Sequence, residues 1–162
     1  MKDEIMTLSE YQALVKEYNE SDSVCQRESI ADTVYNEARA LMHKLIALYS
    51  KYGKDFVGDS NYKEYCGCLF LVKFDESTAW MKWSDPWTSC EIGIQMKYLD
   101  NGVMKVLEKE LSEEHATRIE KLIREKRHAL EQLKKVANDL EKEIGELESG
   151  KFPRTKSVTT CK

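Results

Sequence analysis

The side chains best suited to metal or nucleophile chemistry in this chain are His43, Cys66, Cys68 and Cys90. Cys66 and Cys68 flank Gly67 in a stretch that alternates like a strand, so both thiols point to one side. Cys90 on a neighbouring strand and His43 on a helix above would complete a Cys3His zinc set. Two features weigh against that set. The turn-borne C-x2-C spacing of structural zinc sites is missing, and strand neighbours two apart are separated by about 7 Å, wider than sulfurs sharing one ion. The plainer reading is buried thiols and a histidine on a helix surface; a stoichiometric ion in purified protein would reverse it.

Other chemistries find less support. A Cys-His pair for nucleophilic catalysis would still need a third group to orient the base, and no local signature supplies one. Gly58-Asp59-Ser60 stands alone, without the Gly-x-x-x-x-Gly-Lys of a phosphate cradle. Carboxylates are plentiful but sit at helical spacings suited to solvation and i,i+4 pairing. The expectation is a protein that is not an enzyme, with no cofactor and no metal.

Aromatic clustering points instead to binding. Trp80, Trp83 and Trp87 fall close together beside Met81 and Pro86. Trp80 and Trp83 have opposite parity in a strand, so both cannot face one core without a bulge. One of them, with Trp87 in the following turn, is expected on the open side of a small sheet. Trp80, Met81, Trp83 and Trp87 are therefore the candidate partner-binding residues.

The elements that must carry these residues can be read in order. Thr7-Leu8-Ser9-Glu10 is a capping box that opens a short helix ending near Asn19. Ser23, with Gln26 three residues on, opens a second helix closed by Gly53; its face from Val24 through Val34, Ala38, Leu41, Met42 and Leu45 to Tyr52 is apolar, and Tyr35, Tyr49 and Tyr52 read as packing residues. Strands are predicted over Tyr62 to Phe74, Thr78 to Trp83 and Thr88 to Tyr98, separated by Asp75-Glu76-Ser77 and Ser84-Asp85-Pro86 turns. The first should put Cys66, Cys68, Phe70, Val72 and Phe74 on one face and Leu69 and Leu71 on the other. A three-stranded antiparallel meander is too small to stand alone and needs the second helix as cover.

The C-terminal third is dominated by one pattern. From Ser112, a good N-cap, to Glu148 there is no proline, and an unbroken helix of roughly 54 Å is predicted. Ala116, Ile123, Leu130, Ala137 and Ile144 occupy one seam position of a heptad; Ile119, Lys126, Leu133, Leu140 and Leu147 occupy the other. Leu122, Ala129 and Val136 widen the stripe on one flank, as in a bundle. The candidate oligomerisation residues are Ile119, Leu122, Ile123, Leu130, Leu133, Val136, Leu140, Ile144 and Leu147.

Charge bears on the orientation of the partner. Basic residues predominate between Arg118 and Lys135, and acidic ones from Asp139 to Glu148. An antiparallel pair brings the acidic end alongside the basic block, whereas a parallel one sets like blocks together with Glu143 facing Glu148.

The domain organisation expected is an α+β head over 1–102, a long coiled-coil-like helix over 103–149, and a flexible basic tail over 150–162. An approach helix through Val103, Val106, Leu107 and Leu111 either runs straight into the long helix or bends at Ser112. The chain of 162 residues carries 33% charged residues and a net charge of −4, which gives no global pull toward nucleic acid or anionic membrane. No apolar run approaches the ~20 residues of a membrane span, Met1-Lys2-Asp3-Glu4 lacks a secretory apolar segment, and five scattered cysteines suit a reducing compartment, so a cytoplasmic protein is expected.

The function predicted is a non-catalytic protein-binding module, a homodimer by preference, that docks a protein partner as an adaptor, an assembly factor or a small inhibitor of a host or viral enzyme complex. The alternative is nucleic-acid binding, with sheet aromatics stacking on bases and the basic helix block following phosphates. Acidic residues interrupt that block, and no RNP-like or helix-turn-helix signature accompanies it.

Overall fold

A computed structural model describes residues 6–56, 69–84 and 89–150, and the side chains of all of these except 83, 84, 89 and 90. Its chain is α+β: two helices, a three-stranded antiparallel sheet and a long C-terminal helix. Helix α1 (Leu8–Glu20) opens on the predicted capping box. The Thr7 N–H donates to Glu10 Oε2 at 2.7 Å, and the Glu10 N–H donates to Thr7 Oγ1 at 3.3 Å. Two of the orphan amides of the first turn are satisfied in this way. The helix buries Tyr11 and Val15, one turn apart.

Helix α2 (Val24–Lys51) begins where Ser23 Oγ accepts the Gln26 N–H at 3.4 Å. Its buried residues Ile30, Val34, Ala38, Leu41, Met42 and Leu45 recur at helical spacing and form the main apolar stripe. Gly53, at φ 63°, turns the chain out of the helix in the left-handed conformation that a missing Cβ permits. Tyr35, Tyr49 and Tyr52 pack against the core, as expected, and Tyr35 donates its hydroxyl to the Leu69 carbonyl at 3.1 Å. Val24 does not join them; it is 69% exposed in the first turn.

Strands β1 (Leu69–Phe74), β2 (Thr78–Ser84) and β3 (Ser89–Gln95) pair in the order β1-β2-β3. The predicted start of the first strand at Tyr62 lies outside the described residues. The expected face assignment of β1 is corrected by a bulge: Leu71 pairs with Met81 and Lys73 with Trp80, so Val72 has no opposite number. Alternation restarts after it. Phe74 consequently shares the core side with Leu69 and Leu71, its ring 4.8 Å from that of Tyr18, while Phe70 and Val72 are exposed. The predicted third strand stops at Gln95, and Met96–Leu99 forms a single 3-10 turn that buries Met96 and Leu99.

Helix α2 covers one face of the sheet and packs against all three strands. Ala79 and Met81 of β2, Ile94 of β3 and Met96 meet Val34, Ala38, Met42 and Leu45 in a core with no measurable exposure at any of them. Tyr11 ties α1 to this core by donating its hydroxyl to the Asp75 carbonyl at 2.6 Å. Burial, with the nearby Asp75 charge adding to it, pushes the Tyr11 phenol far above its ordinary range and keeps it a donor.

Helix α3 runs from Asn101 to Glu148. Asp100 caps it, its Oδ1 accepting the Gly102 N–H at 2.7 Å and the Val103 N–H at 3.2 Å. Ser112 therefore does not start the helix; it lies inside one already under way. The chain divides into two compact units, residues 1–115 and 116–162. The first turns of α3 belong to the first unit, where Leu107 and Leu111 are buried. Among the described residues no helix is long and apolar enough to cross a membrane.

Candidate functional site

In the second unit α3 continues as about 50 Å of uninterrupted helix, counted from Ala116 to Glu148. Every residue from Ala116 to Glu148 is exposed. All of the predicted oligomerisation residues lie on it, from Ile119 at 40% exposure to Leu133 at 66%, with Leu122, Ile123, Leu130, Val136, Leu140, Ile144 and Leu147 between these limits. The heptad spacing places them on one stripe, and Ile119, Leu122, Ile123 and Leu130 line a shallow groove together with Lys126 and Arg127.

Covering a fully exposed Leu or Ile stabilises by about 1.5–3 kcal/mol, so covering this half-exposed set is worth on the order of 10 kcal/mol per chain. The charged flanks offer little in exchange. The Lys121–Glu125 pair is 4.0 Å apart and exposed, the kind that contributes a few tenths of a kcal/mol.

A second apolar surface lies on the sheet face opposite α2. Trp80 is half-buried there, and Lys73, its neighbour across the β1–β2 ladder, holds its ammonium 4.6 Å from the indole centroid. On the other side Gly93 makes room. A Cβ at that position would stand 3.3 Å from Trp80 Nε1 and 3.1 Å from Thr78 Cγ2. Phe70 and Val72, each 45% exposed, extend the surface along β1, and Lys82 pairs in register with Glu91. This face thus combines exposed apolar side chains with one ammonium, that of Lys73, held over the indole.

Its membership differs from the expected set. Met81 is removed, because it shares parity with Ala79 and is wholly buried under α2. Trp83 has the same parity in β2, and its side chain, like the whole of Trp87, lies outside the described residues. Trp80 remains. Phe70 and Val72, which alternation alone puts on one face, join it, and the bulge brings Lys73 to that side while turning Phe74 away from it.

The titratable candidates are not brought together among the described residues. Cys66 and Cys68, and the Cys90 side chain, lie outside them. Cys25 is an exposed free thiol. His43 is exposed on α2; partial burial of its ring, reinforced by Arg39, lowers its pKa and leaves it neutral at pH 7. No group of three or more His, Cys, Asp and Glu able to hold a metal occurs among the described residues. The basic tail from Lys151 also lies outside them.

Near the end of α2 a polar cluster has a structural role. Lys51 Nζ is 2.7 Å from Glu108 Oε1, which also accepts the Tyr52 hydroxyl at 3.2 Å. Lys54 pairs with Glu114, and His115 Nδ1 lies 3.1 Å from the Tyr52 carbonyl. These contacts hold the first turns of α3 against the end of α2 within the first unit. No family model matches the chain, and comparison with curated proteins and with solved structures gave no match.

Proposed function

We propose that this chain is a non-catalytic protein-binding module that self-associates through the second unit of α3 and offers the open sheet face to a protein partner. The observation that carries the reading is the uncovered apolar stripe from Ile119 to Leu147. An isolated helix is marginal in water, and one with such a stripe gains both its own stability and the hydrophobic term by pairing. Its charge order favours a second copy in antiparallel orientation, with Asp139 to Glu148 beside the block from Arg118 to Lys135. Adaptor, assembly-factor and inhibitor roles are all forms of this module.

Sedimentation equilibrium of the full chain over a wide concentration range tests the first half. A mass that rises from monomer to dimer supports it, and a monomer at every concentration overturns it. For the second half, Trp80→Ala and Phe70→Ala should each release a bound partner protein without lowering the melting temperature; retention of the partner by both variants removes the sheet face from the proposal.

Nucleic-acid binding is a second reading, favoured by one observation: Phe70 and Trp80 share the open face with Lys73 and Lys82. Single-strand binding that falls steeply with salt would establish it, since phosphate contacts release counterions and aromatic protein interfaces do not.

A further inference from the structure

The exposed stripe contains one residue that does not belong in an apolar seam, and its position selects among the ways two copies can pair. Lys126 is exposed in the groove lined by Ile119, Leu122, Ile123 and Leu130, at the heptad position otherwise filled by Ile119, Leu133, Leu140 and Leu147. A single polar residue at a seam position sets register and orientation at some cost in stability. A parallel, in-register pair would place Lys126 against its own copy, two ammonium groups across one buried layer. It would also set Ala116 against Ala116 and Ala137 against Ala137, leaving two layers underfilled.

Antiparallel registers avoid the like-charge layer, and only one of them suits the lysine. With the two seams overlapping along their whole length, Leu130 meets Leu133 of the second copy, Lys126 meets Ala137, and Ala116 meets Leu147. Each seam alanine is then opposite one of the longest side chains of the stripe. Beside Ala137 the lysine stem has room to run out of the seam, and Glu141, one turn further on and on the flanking position, is the carboxylate toward which its ammonium would point. Sliding by one heptad sets Lys126 against Leu130 or Ile144, both branched, and takes either Ile144 and Leu147 or Ala116 and Ile119 out of the overlap.

We infer that Lys126 is the specificity-determining residue of the helix pair, and that it selects an antiparallel dimer in the full-overlap register with Lys126 seated against Ala137 of the second copy. This rests on the self-association proposed above.

The test is disulfide mapping in the full chain. Within one helix, positions 123 and 140, or 123 and 133, are too far apart to be bridged, so every link between them joins two copies. Oxidised Ile123→Cys/Leu140→Cys should yield peptides joining position 123 of one copy to position 140 of the other, and Ile123→Cys/Leu133→Cys should yield little joining 123 to 133. Links from 123 to 123 and from 140 to 140 mean a parallel pair, dominant 123-to-133 links mean the slip that sets Lys126 against Leu130, and a dimer giving neither 123-to-140 nor 123-to-133 links is in another register, such as the slip against Ile144. Any of these results overturns this inference and leaves self-association standing. In a chain with its native seam, a monomer by sedimentation overturns both.

Discussion

Replacing Leu130 by alanine perturbs the stripe without disturbing the helix that carries it, because alanine is the better helix former. Leu130 is 52% exposed and lines the groove beside Lys126. Burying a fully exposed leucine is worth about 1.5–3 kcal/mol, so roughly half of that is lost per copy, and with two copies the dimer loses about 1.5–3 kcal/mol. At 1.4 kcal/mol per decade the dissociation constant should rise about ten- to a hundredfold, and further if the partner leucines do not close the cavity.

Sedimentation equilibrium reads the constant directly, and far-ultraviolet circular dichroism at matched concentration checks that helix content responds only through dissociation. Glu131→Ala, one position along and off the stripe, is the control and should leave the constant within a factor of about two, as surface substitutions usually do. A Leu130→Ala dissociation constant no different from that control would refute the reasoning, since it would mean that the stripe is not what holds the copies together.

Three further outcomes are expected. Lys126→Leu should tighten the dimer and, by removing the like-charge layer, admit parallel pairs, so the same cysteine variants would then show 123-to-123 links; a weaker dimer would contradict the role given to the lysine. Tyr11→Phe removes a buried hydroxyl donor to the Asp75 carbonyl and should cost about 1–2 kcal/mol in urea unfolding, with an unchanged midpoint counting against the contact. Asp75 has its carboxyl pKa lowered by hydrogen bonds from the Ser77 backbone and hydroxyl and from the Thr78 N–H. Its contribution is therefore fully present above the ordinary carboxylate range and fades as pH falls through the lowered folded value, and Asp75→Asn should flatten that acid limb in a urea series at stepped pH.

How far the sequence could be read differs with the range of the interaction. The Thr7–Glu10 box, the Ser23 cap and the Gly53 stop are local signals, and each stands where the sequence places it. The heptad from Ala116 onward was equally legible, since side-chain spacing on a helix follows from position alone. Ser112 is no start, because a cap signal counts only where a helix has not begun, and Asp100 already caps this one twelve residues earlier. Met81 is legible too: it shares strand parity with Ala79, which puts it in the core and not at an interface. The common face of Phe70 and Val72 follows from alternation, but the inward turn of Phe74 was not readable, because the extra residue exists only in the pairing of β1 with β2.

That unpaired residue makes β1 one position longer than its partner requires. Excising Val72 would join Leu71 to Lys73 with the inward and outward directions of both neighbours already correct, so the shortened ribbon could zip to β2 without sliding any side chain to the wrong face. Most deletions within a strand invert everything beyond them; this site is an exception. It is also a place where the outer border of the sheet is kinked, which makes it a poor template for a foreign strand.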